Sequence, residues 1–304
     1  MPRPDSAPSP SPEAQTTTGL EETLLREVAE LRRELSETRR ALAEDRAAAV
    51  LIQQSLLPRA LPQLPQVRAR YEFLPCDDVG GDLVGVQRLD EHTLSLYVAD
   101  VCGHGVPAAM ITVALDQSLN PRGGITKRVE LRGERPSYRL AEPREVLERL
   151  DRDFPLERFG RPFTLCYALL DLRDGSLRYS SAAHPAPILL RRTGEKLLLD
   201  RGGTLIGLGS DVPFEEGHAR LEPGDRLILY SDGLVEHRDP AGEAFGEDRL
   251  LQELARAADR DLEAVTGALV EALLAHGAEA PFRDDVTVLC VEFRGVAQGR
   301  DGRA

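Results

Sequence analysis

The sequence predicts an α+β fold built on antiparallel sheets and preceded by a long N-terminal helix. Three observations lead there. Strand-length apolar or alternating runs recur from Val67 to Phe293, and short turns join most of them. The helical patterns Phe245–Ala257 and Leu262–His276 stand side by side rather than alternating with strands, which argues against a parallel doubly wound sheet. Ahead of the first proline cluster, apolar residues follow a heptad spacing.

Residues 1–19 are poor in apolar side chains and rich in Pro, Ser and Thr, the composition of a disordered tail. From there Leu24, Val28, Leu31, Leu35, Leu42, Ala49, Ile52 and Leu56 alternate in steps of four and three, with Thr38 and Asp45 interrupting the seam. Arg and Glu crowd the flanks. This predicts a coiled-coil helix over residues 20–57 and a homodimer through it; the alternative is an amphipathic helix packed on its own domain. Pro58, Pro62 and Pro65 end the helix and open a domain expected to span residues 58–296, followed by a tail over 297–304.

Within that domain, Val67–Leu74, Leu83–Leu89 and Thr93–Val101 read as strands. Pro107 suits a first helical turn, and Ala108, Ile111, Leu115 and Leu119 give that helix one apolar face, with Asn120-Pro121 as its stop. Residues 122–141 are polar and rich in Gly and Pro, which predicts a long surface excursion. A helix over Pro143–Phe154 follows. Asp174-Gly175 joins strands Phe163–Leu172 and Ser176–Ser181, and Ile188–Arg191 pairs with Lys196–Leu199. Arg226–Tyr230 and Val286–Phe293 are the last strands.

The 304 residues are 41% hydrophobic, enough for a core, and carry a net charge of -13. That charge argues against nucleic acid or an anionic membrane as a partner. The four cysteines, Cys76, Cys102, Cys166 and Cys290, form no C-x-x-C pair and suit a reducing cytoplasm. No apolar run is long enough to cross a membrane.

Four acidic positions share one setting. Asp82 precedes a strand after Gly80-Gly81, Asp100 ends a strand before Gly103 and Gly105, Asp232 ends a strand before Gly233, and Asp284-Asp285 open the last strand. A single aspartate in such a place is most often a turn or cap residue. Facing sheets would instead bring the four groups together, and clustered carboxylates resist ionisation unless cations join them. Oxygen ligands without a His/Cys set select Mg²⁺ or Mn²⁺, and a pair of such ions suits phosphoryl chemistry. His104, near Asp100, is a candidate proton donor or a loop-shaping residue; His184 reads as a turn residue.

Ile52-Gln-Gln-Ser-Leu-Leu-Pro58, Val79-Gly-Gly-Asp82, Val98-Ala-Asp-Val-Cys-Gly-His-Gly-Val-Pro107, Ala182-Ala-His-Pro-Ala-Pro187, Leu229-Tyr-Ser-Asp-Gly233 and Asp284-Asp-Val-Thr287 resemble, in order, the motifs of SpoIIE/RsbU-type phosphatases of the PPM superfamily. Each motif is weak alone; their order is specific. The resemblance covers residues 52–293. It implies an α-β-β-α sandwich of two antiparallel sheets flanked by helices, with two Mn²⁺ or Mg²⁺ ions between the sheets. It places Asp100 as a bridge between the ions, joined by the Val101 carbonyl, Asp232, Asp284 and, directly or through water, Asp82. Asp285 stands where the superfamily often has Asn and is assigned with them as an orienting group; Asp100 and Asp232 carry the catalytic assignment.

The implied activity is hydrolysis of phosphoserine or phosphothreonine by a metal-activated water. The implied substrate is a phosphorylated regulatory protein, often an anti-sigma-factor antagonist of the STAS type. Two motifs depart from the family pattern. Gly81-Asp82-Leu83-Val84-Gly85 lacks a second acid, and Ser181-Ala182-Ala183-His184-Pro185 replaces Asn-Ala-Gly-His-Pro. The alternative function is a dimeric binding module with a weakly active or inactive phosphatase-like domain.

Overall fold

The computed structural model describes residues 12–58, 61–76, 79–132 and 135–295. Residues Met1–Ala48 and Ala49–Ala304 form two units. Helix α1 runs Pro12–Leu56 and stops just short of Pro58, as expected; it begins before residue 20, and the remainder of the expected N-terminal tail lies outside the described residues. In the first unit the seam residues Val28, Leu31, Leu35 and Leu42 are all 44–59% exposed, so this part of the apolar seam has no cover within its own unit.

The second unit continues with β1 (Val67–Leu74), β2 (Asp82–Arg88), β3 (Thr93–Val101) and α2 (Val106–Leu119). Next come β4 (Lys127–Arg132), β5 (Arg135–Leu140), α3 (Pro143–Asp153) and the short α4 (Leu156–Phe159). Strands β6 (Phe163–Asp171), β7 (Ser176–Ala182), β8 (Ile188–Leu190), β9 (Lys196–Leu198), β10 (Gly202–Gly203), β11 (Gly217–Arg220) and β12 (Arg226–Tyr230) follow. The unit closes with α5 (Gly233–Glu236), α6 (Gly246–Arg256), α7 (Leu262–Gly277) and β13 (Val286–Phe293).

Two sheets result. One has the order β1-β13-β12-β8-β9; the other runs β10-β7-β6-β3-β2, with β11 also paired to β7. All pairings are antiparallel except the short β10–β7 contact. Residues 122–141 are more ordered than a polar excursion, because β4 and β5 pair as a separate hairpin. Its base is closed by the Ala141 N–H donating to the Thr126 carbonyl.

The strand period of two decides what each side chain meets. On β3, Leu94, Leu96 and Val98 pack between the sheets with Val84, Val86, Leu227, Leu229, Leu289 and Val291. Tyr97, Ala99 and Val101 face the other way, onto Leu115, Leu119, Leu147 and Leu150 of α2 and α3. Ile228, Tyr230, Val288 and Cys290 back onto Leu250, Leu254, Leu269 and Leu273 of α6 and α7. Helices therefore cover the outer face of each sheet, giving the α-β-β-α layering. Each fully buried Leu or Val contributes about 1.5–3 kcal/mol to holding the layers together. No described helix is long and apolar enough to cross a membrane.

Candidate active site

The inward series on β3, Leu94-Leu96-Val98, has Asp100 as its next member. The inward series on β2, Val86-Val84, ends the same way at Asp82. These two aspartates stand opposite each other in the β2–β3 register. Thr164 lies across from Asp100 on β6, and Thr287 precedes the inward Leu289 on β13. The layer between the sheets is thus apolar along its length and polar at one end. Asp232 follows β12 and Asp284 precedes β13 on the facing sheet.

Burial is the first electrostatic fact about this end. Asp82 is 2% exposed; burial, then the charge of Asp100, pushes its carboxyl well above the usual carboxylate range. Asp100 is pushed up to about 8, first by burial and then by Asp232, Asp284, Asp285 and Glu236. Burial and the neighbouring acids Asp284 and Glu236 raise Asp232. Asp284 is raised by burial as well, while the Asp285 N–H, His104 and other neighbours act on it in both directions. Carboxylates from four segments of the chain therefore sense one another's charge, as the strand-end reading requires.

Asp285 does something different. Its carboxylate accepts backbone N–H bonds from Cys76 (2.9 Å), Gly81 (2.6 Å) and Asp82 (3.4 Å). It holds the turn that carries Asp82 from the far sheet. Gly80 makes this possible, since a Cβ there would sit 1.7 Å from Asp285 Oδ2. At Gly81 a Cβ would lie 2.5 Å from the Val101 carbonyl oxygen, so the absent side chain lets the turn close over Val101. On its other side the turn is clamped by Gln53, whose amide donates to the Gly80 carbonyl (2.8 Å) and accepts from the Gly80 N–H (2.9 Å).

Thr287 and Ser231 complete the frame. Thr287 Oγ1 donates to Asp82 Oδ2 at 2.5 Å, and Ser231 Oγ accepts from the Thr287 N–H at 2.9 Å. Asp82 Oδ1 is buried with no hydrogen-bond partner. His184 is buried and held neutral, its pKa pushed down to about 3 by burial. Its Nδ1 lies 2.7 Å from Thr164 Oγ1, and its backbone N–H and carbonyl both bond the Ser181 hydroxyl. It shapes the turn after β7, as read from the sequence. Arg161 donates to the Cys102 carbonyl (2.7 Å) on the turn that follows Asp100.

Among the described residues no three His, Cys, Asp or Glu side chains already form a closed ligand cluster. The donor set nevertheless fits hard divalent cations: it is all oxygen, mutually repelling and buried, and one oxygen of Asp82 lacks any partner. Such acids stay ionised together only when cations offset their charge.

The family model of Stage II sporulation protein E (SpoIIE) matches residues 90–294, about two thirds of the chain. The chain belongs to the SpoIIE family. Within it, the chain is similar to Protein IcfG of Synechocystis, with 27% identity over 79% of this chain and 40% of IcfG. It is also similar to phosphoserine phosphatase RsbU of Bacillus subtilis, with 28% identity over 64% of this chain and 54% of RsbU. The chain thus spans about half the length of these relatives. The SiaA-PP2C domain of Pseudomonas aeruginosa shares the fold: TM-score 0.68, 23% identity, covering 84% of this chain and 98% of that one. The SpoIIE match begins at residue 90, so it takes in Asp100, Val101, Asp232, Asp284 and Asp285 but not Asp82 or Gln53.

Sequence reasoning missed Glu236, whose charge raises Asp100, Asp232 and Asp284. The signal was present: Glu236 is four residues after Asp232, which on a helical turn is the same face. It also missed Thr287 and Ser231, because a strand hydroxyl carries no sequence mark of the carboxylate or backbone group it will meet.

Proposed function

We propose that the chain is a metal-dependent protein serine/threonine phosphatase. Its substrate on this reading is phosphoserine or phosphothreonine in a regulatory protein of the STAS type. The observation that supports it most is the convergence of Asp82, Asp100, Asp232 and Asp284 from both sheets at one buried, polar end of the inter-sheet layer. Membership of the SpoIIE family and similarity to a phosphoserine phosphatase point the same way.

On this reading Asp100, Asp232, Asp284 and Asp82 hold two Mn²⁺ or Mg²⁺ ions, with the Val101 carbonyl as a further oxygen ligand. Such ions supply a water acidified toward hydroxide and positive charge for the phosphoryl oxygens. The protein's own part is to keep the oxygens in place. Thr287 fixes one oxygen of Asp82 and leaves the other open; Asp285 and Gln53 hold the turn beneath it from two sides. His184 at neutral pH brings no positive charge to compete for the acids.

The exposed seam of α1 supports a homodimer through the N-terminal helix, and the four free cysteines support a cytoplasmic setting. The test of the activity is phosphate release from a serine-phosphorylated STAS-type protein with Mn²⁺ or Mg²⁺, before and after chelation. Turnover that is lost on chelation and in Asp232→Asn establishes the reading. Unchanged turnover in Asp232→Asn overturns the residue assignment, and no turnover under any metal leaves the binding-module alternative.

A further inference from the structure

We propose that the cavity beneath the β4–β5 hairpin binds an organic phosphate of nucleotide size, at a site separate from the acid cluster. The cavity is open to solvent and has a volume of about 1000 Å³, and Arg88, Arg122, Lys127, Arg139, Gln87 and Tyr138 line it. That volume is at the upper end for ligand clefts. Strand β2 runs from Asp82 at the acid cluster to Arg88 at this cavity. At about 3.3 Å per residue, the two sites lie roughly 20 Å apart along the strand.

Charge is the first argument. The chain carries 51 acidic residues against 38 Lys and Arg, yet among the described residues this cavity is lined by four cationic side chains and a single carboxylate, Asp90. Asp90 is occupied locally, its Oδ1 accepting the backbone N–H groups of His92 and Thr93. Arg139 is fixed by a two-pronged bond to Glu145 (2.6 and 2.8 Å) and forms a rigid wall. The Arg88 guanidinium donates to the backbone carbonyls of Asp90 and Glu91 and meets no carboxylate there. Neither Arg122 nor Lys127 forms an ion pair among the described residues. In a protein of net charge -13, like charges left side by side in a concavity mark a place for an anion, and guanidinium and ammonium groups match phosphate.

An exposed ring beside the cations narrows the anion. Gln87 Nε2 donates to the Tyr97 hydroxyl at 2.8 Å. Its Oε1 is buried and has no partner. Tyr138 is 70% exposed beside the cations, an aromatic face open to stacking. A phosphate for the cations and a flat ring for Tyr138 together describe a nucleotide. The walls come from three elements: the end of α2, the β2–β3 turn and the hairpin.

The test is titration calorimetry on the full chain after chelator treatment, with ATP, GTP and inorganic phosphate as probes. Without divalent ions the acid cluster repels phosphate, so binding reports on the cavity alone, and no turnover is read. The phosphatase reading therefore stands or falls separately. The expected result is nucleotide binding with a Kd below about 1 mM. The Arg122→Glu/Lys127→Glu variant weakens it at least about tenfold, and Tyr138→Ala weakens nucleotide but not phosphate binding. Should the charge reversal unfold the hairpin, Arg122→Gln/Lys127→Gln repeats the measurement. Nucleotides binding no more tightly than inorganic phosphate, or binding that survives both double variants, overturns the proposal.

Discussion

The Thr287 hydroxyl on one sheet donates a 2.5 Å hydrogen bond to Asp82 on the other, so the acid cluster is also a stitch between the two layers. That bond lowers a carboxyl which burial and Asp100 otherwise raise. Thr287→Val keeps the shape and removes the donor. The variant should bind Mn²⁺ about 10–100-fold more weakly, read from metal-dependent melting curves, while Thr287→Ser stays near the parent. Equal metal affinity in Thr287→Val would detach this hydroxyl from the site.

Asp100→Asn and Asp232→Asn are each expected to lower metal-dependent phosphate release at least about 100-fold. The chelated Asp100→Asn protein should melt no lower than the parent below pH 8, because Asn keeps the shape of the protonated Asp100 carboxyl and, like it, places no charge beside the other acids. Loss of activity together with a collapse in stability would mean that Asp100 is a packing residue instead.

The pH dependence of the chelated protein has a definite sign. Asp100 sits at about 8 in the folded chain against an ordinary 3.8, so between those values the folded state holds more protons than the unfolded one. Its contribution to stability is therefore full at low pH and is lost as pH rises toward 8. Melting temperature in chelator should fall between pH 5.5 and pH 8, less steeply in Asp100→Asn, and Mn²⁺ should restore it at pH 8. A parent and an Asp100→Asn variant with the same slope would remove Asp100 from the explanation.

His184, held neutral by burial, should show no imidazole titration between pH 5 and pH 8 by NMR. A midpoint near 6.5 would mean that the β7–β8 turn opens to water.

The α1 seam makes a prediction of its own. Leu31→Glu with Leu35→Glu places charge on two exposed seam positions and should convert a dimer into a monomer by light scattering. A monomeric parent would refute dimerisation through this helix.

The chain by itself determined the elements and the acids that matter. A run such as Leu94–Val98 must be a buried strand, Pro58 must stop α1, and Asp100 must share a face with Leu94, Leu96 and Val98, because side chains alternate along a strand. Those periods are local, and local geometry is written in consecutive residues. The motifs, in their order, already pointed to the family. Only the tertiary structure decided what comes from contacts between distant segments. Asp285 reaches back some 200 residues to hold the Gly81 turn, Gln53 clamps the same turn from the end of α1, and Thr287 bonds Asp82 across the sheets. Nothing in the spacing of residues 122–141 foretold a hairpin over a cationic cavity, because its cations come from β2, the α2 end and the hairpin itself. Bringing them together against their repulsion is work done by the packed layers, and packing is set by the whole chain at once.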